Sequence, residues 1–315
     1  MNNPNFSPEN WERDLVKTLA LASLKEQKRT RFWGIFFKSL AFIYLFLLLF
    51  ISLGWIENGK AMHADQHTAL VDLKGIIAAD SQSSADKIIS SLQAAFKDKR
   101  TRGVILRINS PGGSPVQAGY INDEMKRLKQ NFPEIPLYVV IGDICASGGY
   151  YVASAADKIY VDKASLVGSI GVLLDGFGFS GILDKLGIER RLLTAGEDKG
   201  FLDPFTPLDP AQEEHAKTLL KEIHDQFINV VKEGRGSRLT HKANVFSGNV
   251  WTGQKSIELG LADEIGGTEY VAREVIKAEV IVDFSAKEKF LDFFEKNLNQ
   301  IILNVINEKS VSRFR

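Results

Sequence analysis

The sequence is poor in residues that crosslink a chain or hold a metal. It has a single cysteine, Cys145, among 315 residues, so no disulfide can form within the chain. Its 39 basic and 39 acidic residues balance, and this neutrality gives no sign of a nucleic-acid partner. We find no internal repeat, no low-complexity tract and no cluster of metal-ligand residues. We therefore expect a packed domain that needs no metal and no other cofactor.

One stretch near the N-terminus lacks charge altogether. Residues 39–56 form an uncharged run of 18 residues, with the apolar residues 32–37 beside it, and this length suits one membrane-spanning helix. The run is apolar all round, which argues against a core helix with one polar face. A cleaved secretory signal is the better rival, but the run is long and late for one, and residues 61–64 make only a weak cleavage site.

Charges on either side of this run predict its orientation. Five basic residues precede it and one closely follows it: Lys25, Lys28, Arg29, Arg31 and Lys38 before, and Lys60 after. Because basic residues stay on the cytoplasmic side, we expect a cytoplasmic N-terminus and an extracytoplasmic chain from residue 57. The expected location is the bacterial inner membrane, crossed once.

From residue 68 the pattern alternates between strands and helices, which predicts an α/β fold with a parallel sheet flanked by helices. Helices are expected over residues 84–97, 116–129 and 210–234, and short strands over 157–161 and 189–194. The expected division is an N-terminal cytoplasmic segment (1–31), a transmembrane helix (32–56), a linker (57–67), the main domain (68–283) and a C-terminal helical tail (284–315).

A serine among small residues follows a predicted central strand. Residues 137–141 are a continuous apolar run typical of a buried strand, and Ser147 lies in the small-residue turn after it, before a helix-like pattern. Free N–H groups at a helix N-terminus favour negative charge, so Ser147 could act as a nucleophile. Alternatively it only caps the helix.

A second glycine-rich turn, at residues 109–114, follows the strand predicted over residues 104–108. Two adjacent glycines permit positive φ and a close approach of the backbone to a ligand. The amides of Gly113 and Gly148 could together form an oxyanion hole. An ordinary strand-to-helix turn is the plainer interpretation of a Pro-Gly-Gly sequence.

A serine nucleophile needs a base, and no histidine is well placed to supply it. Of the five histidines, two fall in the charged helix predicted over 210–234 and are expected to face solvent, and two follow the apolar run. A buried lysine can replace histidine, and Lys199 is the candidate. The histidines are His63, His67, His215, His224 and His241.

These motifs resemble the signal peptide peptidase A family, serine proteases with a Ser/Lys dyad and a Clp-protease/crotonase-like fold. The similar segments are residues 109–113, 146–151, 168–172, 196–205, 250–254 and 259–263, in the expected order over about residues 68–278. The resemblance implies Ser147 as nucleophile, Lys199 as general base and Ser169 as the hydroxyl that orients the lysine. It disfavours Cys145 as nucleophile.

The resemblance also implies a serine endopeptidase in which residues 68–283 are the protease domain. Its substrates would be peptides such as signal peptides left in the membrane, and its assembly a homo-oligomer, an octamer for a chain with one such domain. Two other functions stay open: a crotonase-like acyl-CoA enzyme, and a catalytically silent membrane scaffold in which Ser147 caps a helix and Lys199 pairs with Glu197 or Asp198.

Overall fold

The computed structural model describes residues 11–52, 66–240 and 244–286. Helices are α1 (Trp11–Ser52), α2 (Ala85–Lys97), α3 (Pro115–Asn131), α4 (Gly148–Ala153), α5 (Ser180–Leu186), α6 (Pro210–Arg235), α7 (Gly253–Glu258) and α8 (Thr268–Tyr270, continued as a π-helix over Val271–Ile276). Strands are β1 (His67–Lys74), β2 (Thr101–Ser110), β3 (Leu137–Ala146), β4 (Lys158–Val161), β5 (Leu166–Gly168), β6 (Val250–Thr252), β7 (Glu264–Ile265) and β8 (Ile281–Asp283).

Helix α1 is one unbroken helix that includes the apolar run as far as Ser52. Its 42 residues correspond to about 63 Å at 1.5 Å per residue. The part from Leu15 to Phe50 is long and apolar enough to cross a membrane. Residues 53–65, which include the end of the predicted transmembrane helix and most of the predicted linker, lie outside the described residues.

The domain that follows is built on one sheet with the strand order β6-β5-β3-β2-β1-β8, and β4 and β7 extend it beside β3. All pairs are parallel except β5 with β6, which is antiparallel. The predicted α/β fold with a mainly parallel sheet, flanking helices and a preceding apolar helix is confirmed. Parallel strands end at the same edge of a sheet, so the turns after β2, β3 and β5 meet there.

The central strands are buried on both faces, as expected for a parallel sheet covered on each side. One face packs against apolar side chains of α2, α3 and α4, among them Leu92, Ile121 and Val152. The other face packs against the π-helix through Ile276. This burial keeps the carboxyl edge of the sheet in place.

Caps fix the beginnings of the two helices that border this edge. The Ser114 hydroxyl accepts a hydrogen bond from the Gln117 amide at the start of α3, and the Asp209 carboxylate accepts one from the Ala211 amide at the start of α6. Each cap is followed by a proline at the first helical position, which costs no hydrogen bond there.

A buried ion pair fixes the other end of α6. The guanidinium of Arg235 is fully buried and donates to both oxygens of the Asp263 carboxylate, at 2.8 and 2.9 Å, and its Nε donates to the carbonyl of Gly260. Paired donors and acceptors of this kind leave no charge unsatisfied in the interior. Helix α6 is therefore held against the loop that precedes β7.

Two expectations need comment. The strand predicted over residues 189–194 is wrong, because those residues form an exposed irregular segment. Only Leu192 and Leu193 of these six residues are apolar, and no described strand pairs with the segment. The predicted C-terminal tail over 284–315 lies outside the described residues from residue 287 onward.

Candidate active site

Two serines follow paired positions at the carboxyl edge of the sheet. Ala146, the last residue of β3, pairs with Gly168, the last residue of β5. Ser147 and Ser169 come next in each chain segment, and the Ser147 amide donates to the Gly168 carbonyl at 2.9 Å. The sheet register therefore brings together two hydroxyls that are 22 positions apart in sequence.

Ser147 adopts a backbone conformation that L residues rarely adopt, with φ of 51° and ψ of −124°. Such conformations cost about 1–3 kcal/mol and are typical of functional sites. Although Ser147 stands at the N-cap of α4, its side chain accepts no capping hydrogen bond. The capping role is thus not the reason for a serine here, and its hydroxyl faces a cavity instead.

The glycine turn after β2 packs directly on the Ser147 turn. A Cβ on Gly112 would lie 2.8 Å from both the Gly148 nitrogen and the Ser147 Cβ, and one on Gly148 would lie 3.3 Å from the Gly113 nitrogen. Only residues without a Cβ permit these approaches. Within the described ranges neither the Gly113 amide nor the Gly148 amide has a hydrogen-bond acceptor. Two neighbouring N–H donors are therefore available beside Ser147.

Ser169 shares the strained geometry of Ser147, with φ of 50°. Its amide donates to the Asn249 carbonyl at 2.7 Å, and a Cβ on the preceding Gly168 would lie 3.1 Å from both the Asn249 carbonyl oxygen and the Trp251 indole. Packing by the segment before β6 therefore holds the Ser169 turn. Its side chain lines the same cavity as Ser147.

The cavity has a volume of about 1070 Å³. Helix α3 lines it with Val116 and Tyr120, and helix α6 lines it with Ile223 and Phe227. Tyr151 of α4 packs at 5.1 Å against the ring of Phe227. A cleft with apolar walls and a few polar groups at its floor is the usual form of a binding site for an extended or small substrate.

The other candidate nucleophile, Cys145, is excluded by burial. Its side chain is 0% exposed, and burial raises the pKa of its thiol far above the usual range. A thiol that stays protonated and inaccessible is not a nucleophile. The interpretation of Cys145 as a packing residue agrees with its position in the core.

His215 is exposed, as expected, but the expectation is wrong for His224. The His224 side chain is half-buried and lines the cavity, and its Nε2 lies 3.1 Å from the Ile170 carbonyl oxygen. The turn that contains Ser169 explains this contact, because it carries the Ile170 carbonyl to the α6 wall. The sequence signal for it was the position of His224 next to Ile223 on the apolar side of α6.

Lys199 is not brought to this site by the chain itself. It lies in an exposed turn, where its amide donates to the Gly196 carbonyl at 3.2 Å, and it is not among the described residues that line the cavity. The four other predicted site residues (Gly113, Ser147, Gly148 and Ser169) all line the cavity.

The sequence did not predict Asp123 as part of the site. Asp123 lies on α3 and lines the cavity three residues after Tyr120. Helical spacing was the sequence signal for Asp123. Val116, Tyr120 and Asp123 are four and three residues apart, so they lie on one face of a helix.

The motif-bearing part of the chain matches known proteins. The model of "Peptidase family S49" matches residues 129–282. Over 209 residues the chain is 31% identical to "Putative signal peptide peptidase SppA" of Enterococcus faecium, covering 66% of this chain and 60% of that one. It is 30% identical over 206 residues to "Putative protease slr0021" of Synechocystis sp., covering 65% of this chain and 72% of that one.

A third relative has a different name. The chain is 45% identical over 175 residues to "Na(+)/H(+) antiporter NhaA" of Brucella melitensis, but these residues are 56% of this chain and only 24% of that protein. The chain thus spans from a quarter to about three fifths of the length of the relatives from Brucella and Enterococcus. The antiporter name brings no activity to this chain, since three quarters of that protein lies outside the match. The family model and the relative from Synechocystis establish that the chain belongs to peptidase family S49.

Proposed function

We propose that this protein is a membrane-anchored serine endopeptidase that hydrolyses peptides through Ser147. The observation that carries the proposal is the turn at Ser147: a strained serine whose side chain caps no helix, facing a cavity beside two unengaged amides. A helix-capping serine of a silent scaffold would require none of these features. Membership of the S49 family supports the same chemistry.

In the proposed reaction, the Ser147 Oγ attacks the carbonyl carbon of the scissile bond and its proton passes to the deprotonated amine of Lys199. The N–H groups of Gly113 and Gly148 stabilise the oxyanion of the tetrahedral intermediate, by about 3 kcal/mol for each donor in comparable sites. The carbon–nitrogen bond then breaks and Lys199 returns the proton to the leaving amine. A water molecule, deprotonated by Lys199, hydrolyses the ester on Ser147.

We propose that Lys199 reaches this site from a second copy of the chain. Two observations support an assembly: Lys199 lies outside the cavity of its own chain, and the segment that carries it exposes many apolar side chains, Leu173 and Leu193 among them. Exposed apolar surface of this kind marks contact sites. A ring of identical copies, such as the octamer that the family resemblance implies, would place each Lys199 at a neighbour's Ser147. There the Ser169 hydroxyl would orient the amine.

Helix α1 is proposed to anchor the domain in the inner membrane, with the N-terminus in the cytoplasm and the peptidase domain outside. Its length and composition support this, as do the basic residues before the apolar run. The proposed substrates are signal peptides left in the membrane, in line with the name of the relative from Enterococcus. An apolar cavity wall suits such peptides.

Labelling with a fluorophosphonate probe tests the nucleophile. We expect covalent labelling of the assembled protein at Ser147, located by peptide mass spectrometry, and none in Ser147→Ala. Ser114→Ala is the matched control, since Ser114 caps α3 beside the same turn and its loss should leave labelling intact. A properly assembled protein that stays unlabelled would contradict the proposal and favour a crotonase-like or scaffold function.

Mixing two inactive variants tests the source of Lys199. If the lysine comes from a neighbouring copy in a ring, refolding equal amounts of Ser147→Ala and Lys199→Ala chains together should restore about one quarter of the wild-type activity, the statistical share of intact pairs. If each chain uses its own lysine, the mixture stays inactive. The control is Ser147→Ala refolded alone by the same procedure.

A further inference from the structure

Helix α3 lines the cavity with apolar side chains and, further along the helix, with a carboxylate. Val116, Gly119, Tyr120 and Asp123 line it from the N-terminus of α3 onward. Residues spaced by three and four lie on one face of a helix, so this wall is a continuous stripe. It begins at the turn of Gly113, where the scissile carbonyl is proposed to bind.

Asp123 is the one acidic side chain among the described residues that line the cavity, and no lysine or arginine is among them. Helix α6 contributes Ile223, His224, Gln226 and Phe227 to the lining, and none of these is a lysine or an arginine. The charge of Asp123 also acts on another residue of the lining, Tyr151. The pKa of Tyr151 is raised, first by burial and then by the charge of Asp123.

Asp123 also lacks an ion-pair partner within residues 11–52, 66–240 and 244–286. Nearby carboxylates differ in this respect. Glu124 accepts from Arg127 and Gln93, and Glu233 pairs with Lys126 at 2.7 Å. Lys126 and Arg127 are thus paired with other acids, while the Asp123 carboxylate, which lines the cavity, stays available to a ligand.

We propose that Asp123 is a specificity-determining residue that binds a lysine or arginine side chain of the peptide substrate. This inference rests on the proposed peptidase function and names its substrate class: a peptide with apolar residues near the scissile bond and a basic residue further along. Val116 and Tyr120 contact the apolar part, and Asp123 contacts the basic residue.

Helix geometry sets the distance between these positions. Asp123 is nine residues after Ser114, which is about 14 Å along the helix axis at 1.5 Å per residue. An extended peptide advances about 3.3 Å per residue. A peptide that lies along the α3 wall therefore places its basic residue about four residues from the scissile bond.

The test uses apolar peptides in which one lysine is moved through the five positions on each side of the cleaved bond, with glutamine at the same position as the neutral reference. We expect the lysine peptide to have a roughly three- to five-fold higher kcat/KM at about four residues from the bond, the size of an exposed pair of opposite charges. In Asp123→Asn this ratio should fall to about one, and in Asp123→Lys a glutamate peptide should become the preferred one. About 1 M salt should abolish the preference, because charges are then screened within about 3 Å.

Asp86→Asn is the matched control, an exposed aspartate of α2 that does not line the cavity, and it should keep the wild-type ratio. A lysine preference that survives in Asp123→Asn, or a wild-type protein without any preference, overturns the proposal. Fluorescence anisotropy of labelled peptides with Ser147→Ala measures binding without hydrolysis. It therefore tests the role of Asp123 separately from the proposed peptidase function. If Ser147→Ala binds lysine peptides through Asp123 but the wild-type protein hydrolyses none, the proposed peptidase function is refuted while the proposed binding role of Asp123 stands.

Discussion

The proposed dyad is divided between two regions of the molecule. Ser147 lies at the carboxyl edge of the sheet and Lys199 in the segment of residues 172–209, and the two regions differ in how deeply their side chains are buried. The residues just before Ser147 and Ser169 are buried, with Cys145 and Val167 0% exposed, and Gly112 packs against the Ser147 turn. In the segment of residues 172–209, by contrast, Leu173, Phe177 and Leu193 expose 81, 78 and 96% of their surface. A single chain therefore positions the proposed nucleophile and its proposed oxyanion donors by itself, while the segment of the proposed base has no buried side chain among residues 172–209.

The sharpest test of this comparison is the loss of each half. Ser147→Ala and Lys199→Ala should each lower the kcat of the assembled enzyme by at least about 10⁴-fold, because a nucleophile and its base act as a unit. Peptide hydrolysis measures the rates, and circular dichroism with size-exclusion chromatography checks folding and assembly. Activity near wild type in Lys199→Ala would rule out this lysine as the base.

Truncating one leucine in each region tests the difference in packing. Leu106→Ala, at a position of β2 that is 0% exposed, should lower the free energy of unfolding by about 2–5 kcal/mol. Leu193→Ala, at 96% exposure, should change the unfolding of the separate chain by less than about 0.5 kcal/mol. Urea unfolding measures both.

The same Leu193→Ala variant should weaken assembly, measured by sedimentation at decreasing concentration, if the exposed segment meets a second copy. An unchanged assembly would mean that Leu193 lies outside the contact.

Ser169 separates the role of a hydroxyl from that of a strained backbone. Ser169→Ala should lower kcat by roughly 10–100-fold, less than Ser147→Ala, because the hydroxyl orients the base without transferring an obligatory proton. Ser169→Gly also removes the hydroxyl but tolerates φ of 50°. If the two variants lose the same activity, the hydroxyl matters; if only the alanine variant does, the backbone matters. A loss as large as that of Ser147→Ala would give Ser169 a different role.

Acid should destabilise the sheet through His67, the smallest effect expected here. His67 is fully buried, its Nδ1 has no hydrogen-bond partner among the described residues, and its Nε2 lies 3.2 Å from the Thr101 hydroxyl. Burial lowers the pKa of His67 below 6.5, with Asp98 opposing this and Arg100 adding to it. The unfolded chain then binds a proton that the folded chain does not, so stability is lost as the pH falls below about 6.5.

Thermal unfolding of residues 64–315 between pH 7.5 and 5 measures this loss. His67→Gln should show a shallower decline, since it removes the titrating group. An equal decline in both proteins would assign the pH dependence to other residues.

Much of the fold was predictable from sequence because it rests on local signals. The continuous apolar runs predicted β2 and β3, and helices α2, α3 and α6 begin within one residue of their predicted starts. The strand expected over residues 189–194 failed, since only two of the six residues are apolar and no described strand pairs with them. Solvent exposure of His224 failed for a related reason: the position of the Ser169 turn decides what that side chain contacts.

The sequence by itself determined the elements, the glycine turns and which residue types could carry acyl-transfer chemistry, because propensity and motif are written in neighbouring residues. Only the tertiary structure decided that Ser147 and Ser169 meet at paired strand ends, that two amides stand free beside them, and that Asp123 lines the same cavity. It also decided that Lys199 lies apart from them. These relations depend on sheet register and helix placement, which bring together residues far apart in the chain.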